Sequence, residues 1–329
     1  MDKDVKVTVL MPVFNCESFL KSAIDSVLNQ SFCDYEFLII NDGSNDNSGD
    51  IILSYNDSRI NYIKNETNLE LISTLNKGID IAKGKYIIRM DADDVSLPER
   101  IEKLVKFMDA NPEVALCGSW FQTFGKQKQV IKYATNNDDI RVRMLHQTQF
   151  CHPSVILRKD VLKQNNYLFN LDFIHAEDYE LFVRISEKHK VANIPEVLLN
   201  YRTHKTSVSF QNENVQNEHT KVIISTQFKK LKKDFNDDDH SLYLKFAYSE
   251  FCWFNKDKVD KLNKLLAQLI MENNKALYLP GYKLREYWSE KLFHLCYNVP
   301  DCMDIWKSSL FYDKQKMTFT RKVKKFLKS

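Results

Sequence analysis

Three aspartates crowd the end of one apolar run: Asp91, Asp93 and Asp94, in the stretch YIIRMDADD over residues 86–94. Asp91 and Asp93 lie two apart, so in extended backbone their carboxylates share a face. Like charges so placed repel unless a cation or a donor compensates. Hard carboxylate oxygens suit Mg²⁺ or Mn²⁺, and such an ion bridges to the oxygens of a diphosphate. Asp94 needs no more than a turn, where it favours the start of the next helix. A further acid stands out in HAEDYELFVRI. Read as a helix, Asp178, Leu181, Phe182 and Ile185 fall at i, i+3, i+4 and i+7, which puts Asp178 on the inward apolar stripe. An acid there is costly unless used or paired. A general base is the use we expect, with a buried structural acid as the competing reading. Glu177 suits the positive end of the helix dipole, and Glu180 with Arg184 makes an ordinary i,i+4 surface pair.

The elements that must hold these residues can be read from apolar periodicity. VKVTVLMPVF is a β-rich run, and ESFLKSAIDSVLNQ follows with Phe19, Ala23, Ile24, Val27 and Leu28 on one helical stripe. YEFLII is a second strand, ended by the turn-rich NDGSNDNS. Another helix, the strand INYIK, and a helix running to Gly84 as a C-cap lead into KYIIRM. Ser96 and Glu99 have capping-box spacing with Pro98 between them, which predicts a helix to about Asn111. Strands are expected at EVALCGSW, PSVILR, VANI and VLLNYR, with a helix at AEDYELFVRISEK; from about residue 213 the pattern is helical. This order predicts an α/β domain over 1–212, with a mostly parallel sheet covered by helices, followed by a helical region over 213–329.

In an open parallel sheet, ligands bind beyond the carboxyl ends of the strands. Strand one ends in PVFNCES, strand two in NDGS with Asp42 at its tip, and strand four in DADD. The first turn has no glycine, which excludes close backbone approach to a dinucleotide pyrophosphate, and no GxxxxGK[ST] occurs.

Bulk properties agree with an ordinary globular chain of 329 residues, 43% hydrophobic and 28% charged. The net charge of +3 hides an asymmetry: residues 1–210 hold 25 Lys+Arg against 29 Asp+Glu, and residues 211–329 hold 22 against 15. The two parts therefore face different partners. Seven cysteines without any CxxC predict reduced thiols in a cytoplasmic setting rather than a zinc knuckle. The start MDKDVKV has no apolar core of a signal peptide, and no apolar run approaches a membrane span.

The segments VTVLMPVFN, LIINDGSNDNS, NLELISTLNKGIDIAKGKYIIRMDADD, HPSVILRKDVL, AEDYELF and VLLNYRTHKTSVS together resemble the inverting bacterial glycosyltransferases of family 2, with the GT-A fold, across roughly residues 6–210. The layout is also similar to lipooligosaccharide and capsule β-1,3-N-acetylhexosaminyltransferases. The resemblance implies a UDP-sugar donor, such as UDP-GlcNAc, UDP-GalNAc, UDP-Glc or UDP-Gal, and a glycan or lipid-linked glycan acceptor. Pro12, Val13 and Asn15 would line the nucleotide pocket with Asn68, Asn76 and Ala92, and Asp42 would accept from the uracil N3–H. Asp93 would bind Mn²⁺ or Mg²⁺, Asp91 would face ribose or metal, and His204 would be a further metal or diphosphate contact. Asp178 would deprotonate the acceptor hydroxyl, with Glu177 and His152 beside the acceptor. One departure is Glu70, where relatives often carry Gly in an NxGxxxxxNxG pattern.

Two further features concern partners. Phe319, Val323, Phe326 and Leu327 form one helical stripe in a tail rich in Lys and Arg. Such a helix can lie on an anionic membrane, at the inner face of a bacterial plasma membrane, or pack on its own domain. No basic element fits nucleic acid. The aromatic run FAYSEFCWF is a candidate core or homodimer surface. Two other readings compete: a sugar-1-phosphate nucleotidyltransferase, which lacks its Gly-rich loop here, and a non-catalytic binding scaffold.

Overall fold

Strands rich in Val, Ile and Leu that are buried along their whole length belong in the middle of a helix-covered sheet. Three such strands run through the computed structural model, which describes residues 5–204, 212–232 and 234–314. They are β1 (Val7–Val13), β2 (Tyr35–Asn41) and β4 (Tyr86–Arg89), and every residue in each is buried. The other strands are β3 (Ile60–Lys64), β5 (Val95–Ser96), β6 (Val114–Gly125), β7 (Val130–Ile131), β8 (Ile156–Arg158) and β9 (Lys190–Thr203). The helices are α1 (Glu17–Leu28), α2 (Ser48–Leu53), α3 (Glu70–Ile81), α4 (Arg100–Ala110), α5 (Asn137–Arg143), α6 (Lys159–Gln164), α7 (Glu177–Lys188), α8 (Glu213–Leu231), α9 (Asp237–Ala247), α10 (Lys256–Ala276), α11 (Gly281–Asn298) and α12 (Met303–Ser308).

The described residues form two compact units, one within residues 1–140 and 148–220, the other within 141–147 and 221–329. In the first, the sheet order is β3-β2-β1-β4-β8-β6-β9-β5, with β7 paired to β6. The block β3-β2-β1-β4 is parallel, so the carboxyl ends of β1, β2 and β4 share one edge. The mostly parallel expectation needs amending at three strands: β8 runs antiparallel to both β4 and β6, and the short β5 and β7 run antiparallel to β9 and β6.

Three local expectations also change. Gly84 does not cap a helix, because α3 stops at Ile81 and Ala82 is the C-cap. A Cβ at Gly84 would meet the Thr8 nitrogen at 2.3 Å, so glycine is there for close backbone approach. Ser96 does not cap α4. It is drawn into the ladder opposite Leu199, and Glu99 occupies the N-cap without a side-chain bond. VANI and VLLNYR are one strand, β9, whose pairing with β6 skips from Ile194 to Val197. Pro195 and Glu196 lie in that skip, where a missing N–H costs no ladder bond.

The second unit buries Leu262, Leu266, Leu269, Trp288 and Trp306. Its short segment Arg141–Gln147 contributes Val142 and Leu145 to that core. His146 is fixed there between Tyr243 Oη at 3.1 Å and Tyr287 Oη at 3.0 Å. Phe246 and Phe254 are buried, so part of the aromatic run is core. No described helix is long and apolar enough to cross a membrane. The basic stripe from Phe319 to Leu327 lies outside the described residues.

Candidate active site

Loop chemistry at the carboxyl edge explains the turn-rich NDGSNDNS. Gly43, at φ +70°, lets the chain pass Asn68, whose nitrogen a Cβ would meet at 2.7 Å. The polar side chains then bolt two loops together. Asn15 N donates to Ser44 Oγ at 3.0 Å, and Asn45 N donates to Asn15 Oδ1 at 2.9 Å. Cys16 N donates to Ser48 Oγ at 2.9 Å, and Glu17 N to Asp46 Oδ2 at 3.0 Å. Asp42 is buried, and its Oδ1 accepts from Asn65 Nδ2 at 2.7 Å and Leu69 N at 2.9 Å.

These loops wall a cavity of about 720 Å³. Pro12, Val13, Asn15, Asp42, Asn68, Asp91, Ala92, Asp93 and His204 all line it, together with Glu70, His175 and Glu177. Asn76 is the exception. Its amide is spent on Phe169, donating to the carbonyl at 2.9 Å and accepting from the nitrogen at 2.9 Å, and it lines neither this cavity nor the next. A second cavity of about 380 Å³ is lined by Arg89, His152, Asp178, Tyr133, Phe121 and Tyr201. Leu71, Asp91, Asp93, His175 and Glu177 line both, so the two spaces meet at the acid tip of β4 and the start of α7.

The acid tip is built with compensation on every side. Arg89, two residues before Asp91 and therefore on the same face, forms an ion pair with it. Burial pushes the Asp91 carboxyl up, and Arg89 pulls it back. Asp93 Oδ2 meets His204 Nε2 at 2.9 Å, and the imidazole packs on Phe19 at 4.9 Å. Asp94 proves to be more than a turn residue. It is fully buried, its Oδ1 accepts from Arg202 N at 2.8 Å, and burial raises its carboxyl well above the usual range. Arg202 Nε also donates to the Asp93 carbonyl at 2.7 Å, with its guanidinium between the Phe19 and Phe124 rings at 4.6 and 4.4 Å. Behind the tip, buried Arg100 donates to the Arg89 carbonyl at 2.7 Å and holds the strand end from below.

These residues fit a hard divalent cation. Asp91, Asp93 and Asp94 each offer a carboxylate oxygen within 4.8 Å of the others. Asp94 Oδ2 is buried with no hydrogen-bond partner. An all-oxygen donor set of this kind selects Mg²⁺ or Mn²⁺ over softer metals.

At the start of α7 the two acids differ in the opposite sense to the sequence reading. Glu177 is the buried one, 5% exposed, while Asp178 is half-buried at the wall of the smaller cavity. Leu181, Phe182 and Ile185 keep the core stripe, and Asp178 sits at its open end. Burial pushes Glu177 up to about 7 and Asp178 up to about 6, with the Asp178 charge a second cause for Glu177. Tyr179 N donates to Asp178 Oδ1 at 2.7 Å. His152 Nδ1 stands 3.8 Å from Glu177 Oε1, and burial keeps the imidazole neutral. Glu180 and Arg184 pair as expected, at 2.6 Å.

Sequence reasoning missed Arg89, Arg100, Arg202 and His175. Arg89 could have been found from its even spacing to Asp91. Nothing in the sequence pairs Arg202 with residues more than a hundred positions earlier.

The comparisons accord with this geometry. The model of the family described as "Glycosyl transferase family 2" matches residues 8–165. An uncharacterized glycosyltransferase of Haemophilus influenzae is 31% identical over 283 residues, covering 81% of this chain and 84% of the relative. The O-antigen biosynthesis glycosyltransferase WbnJ of Escherichia coli is 32% identical over 210 residues, 61% of this chain and 81% of that one. The crystal structure of S. aureus TarS 1-349 in complex with UDP superposes with a TM-score of 0.58 at 16% identity, covering 89% of this chain and 88% of that chain. The likeness is one of fold, and that fold is GT-A.

Proposed function

We propose, since this chain belongs to glycosyl transferase family 2 and is therefore a transferase, that it transfers a sugar from a UDP-sugar to a glycan hydroxyl with inversion. The observation that carries the reading is the meeting of two cavities at Asp91, Asp93, His175 and Glu177, with Asp178 on the smaller one alone. The larger cavity takes the donor. Pro12, Val13, Asn15 and Asn68 flank the nucleoside, and Asp42 accepts from the uracil N3–H through Oδ2, its other oxygen being occupied. Asp93, with Asp91 and His204, would hold Mn²⁺ or Mg²⁺ against the diphosphate. Such an ion, when bound there, would supply positive charge against the leaving UDP.

The smaller cavity takes the acceptor, with His152 and Glu177 at its wall. Asp178 removes the hydroxyl proton. The oxygen forms its bond to the anomeric carbon from the face opposite UDP, and the anomeric C–O bond breaks with its electron pair leaving on UDP. One displacement converts an α-linked donor into a β-glycoside, and no covalent enzyme intermediate is needed. The acceptor class we favour is a surface polysaccharide or lipid-linked glycan of a bacterium, supported by the O-antigen name of one relative. A place at the inner membrane face would follow from such an acceptor.

Incubation with a panel of UDP-sugars, with and without Mn²⁺, tests the reading through UDP release and product anomer. An α-linked product, or no UDP release from any donor, rejects it. A pH profile gives a second check. A protonated carboxyl cannot accept a proton, so activity belongs above the pKa of Asp178 and falls as pH drops through it. With Asp178 at about 6 beside Glu177 at about 7, kcat/KM should fall on the acid side with a midpoint between those values. A rate that stays flat down to the ordinary carboxylate range would exclude this pair.

A further inference from the structure

Non-glycine residues with positive φ are uncommon, and they concentrate where function holds them. In the first unit the described examples are Asn15, Glu70, Asn166 and His175. Three of these four, Asn15, Glu70 and His175, line the larger cavity. Asn and His are comparatively common in this backbone, whereas Glu is not.

Glu70, at φ +67°, opens α3 with Asn68 Oδ1 accepting its N–H at 2.7 Å. His175, at φ +68°, is held from behind by α8. Gln216 Nε2 donates to the His175 carbonyl at 2.8 Å, and His219 Nδ1 donates to the neighbouring Ile174 carbonyl at 2.7 Å. His175 lines both cavities and Glu70 lines the larger, so the two side chains share one wall, that of the larger cavity. That wall includes Asp91, Asp93 and Glu177, where a sugar must lie to pass from one cavity to the other.

We infer that Glu70 and His175 read the transferred sugar, and that the pair selects a neutral hydroxyl- or amide-bearing sugar against a uronic acid. The inference rests on the donor reading given above. A carboxylate accepts from sugar hydroxyls or an amide N–H, and an imidazole offers one donor and one acceptor. Glu70 adds a carboxylate to the larger cavity, and among the described residues that line the two cavities the buried cation Arg89 is already paired with Asp91. A donor carboxylate lying against Glu70 meets like charge, which is how a site rejects a near-isosteric ligand.

The test compares UDP-glucose, UDP-galactose and their N-acetylamino counterparts with UDP-glucuronate, in the wild type, Glu70→Gln, Glu70→Gly and His175→Ala. UDP alone serves as the folding and nucleotide-site control. The wild type should use the best neutral donor with kcat/KM at least about 100-fold above UDP-glucuronate. Glu70→Gln and Glu70→Gly should each narrow that ratio about tenfold, and His175→Ala should lower kcat/KM for neutral donors about tenfold. UDP affinity should stay unchanged in all three. Glycine suits the backbone at position 70, so Glu70→Gly keeps the fold. Donor ratios that do not move in the Glu70 variants overturn this inference while leaving the transferase reading intact. Absence of turnover with every donor in the wild type overturns both.

Discussion

Asp178→Asn is expected to lower kcat for transfer by about 100-fold or more, with UDP affinity unchanged. Removing a positioned general base commonly costs two to four orders of magnitude. Asparagine keeps the shape and the bond from Tyr179 N, which reaches Oδ1 at 2.7 Å, so the start of α7 should hold. Asp178 lines the smaller cavity only, which is why the nucleotide should not notice the change. Glu177 is the internal comparison. It is more buried, touches both cavities and stands 3.8 Å from His152, so Glu177→Gln should alter acceptor KM and kcat together rather than kcat alone. The measurement is a steady-state assay of both variants beside isothermal titration with UDP. An Asp178→Asn enzyme that transfers at the wild-type rate removes Asp178 from the role.

Asp93→Ala is expected to abolish the stimulation of UDP binding by Mn²⁺, a loss on the order of 100-fold in affinity at saturating metal. The substitution takes away one carboxylate of the three that converge within 4.8 Å, and it also removes the 2.9 Å contact between Asp93 and His204. Metal-independent UDP binding should persist, because Asp42 and the bolted loops at Asn15 and Ser44 are untouched. Titrating UDP with and without Mn²⁺ separates the two contributions. A variant whose affinity still rises with Mn²⁺ as in the wild type would show that the metal is held elsewhere. Asp94→Asn offers a contrast within the same cluster. Asp94 is fully buried and bonded to Arg202 N, so its loss should act first on the fold of the tip.

Most of the scaffold was legible because periodicity reports burial directly. β1, β2 and β4 are buried throughout and read as plain apolar runs, and the strand-end rule then put Asp42 and Asp91 to Asp94 on one edge. What stayed hidden depends on long-range pairing. Asp94 looked like a turn residue because its partner, Arg202, lies at the end of β9. Glu177 read as a helix-start acid, and its burial stayed hidden because one helical stripe cannot say how deeply the first turn is covered. Asn76 matched a pattern, yet its amide closes on the Phe169 backbone, a contact between segments that no local spacing encodes. The Glu70 departure gains its meaning from a φ of +67°, a backbone that Gly at this position would adopt without strain.

The segment Arg141–Gln147 has a bearing on how such a chain is assembled over evolutionary time. It lies in sequence between two stretches of the first unit, yet it supplies Val142 and Leu145 to the core of the second and seats His146 between Tyr243 and Tyr287. The helical region is therefore not a cassette appended after residue 220. Exchanging it between relatives by a single crossover would strand two apolar side chains and a buried imidazole without their partners. A recombination event must carry both pieces together, or rewrite the seven residues of the earlier one, before the product can fold.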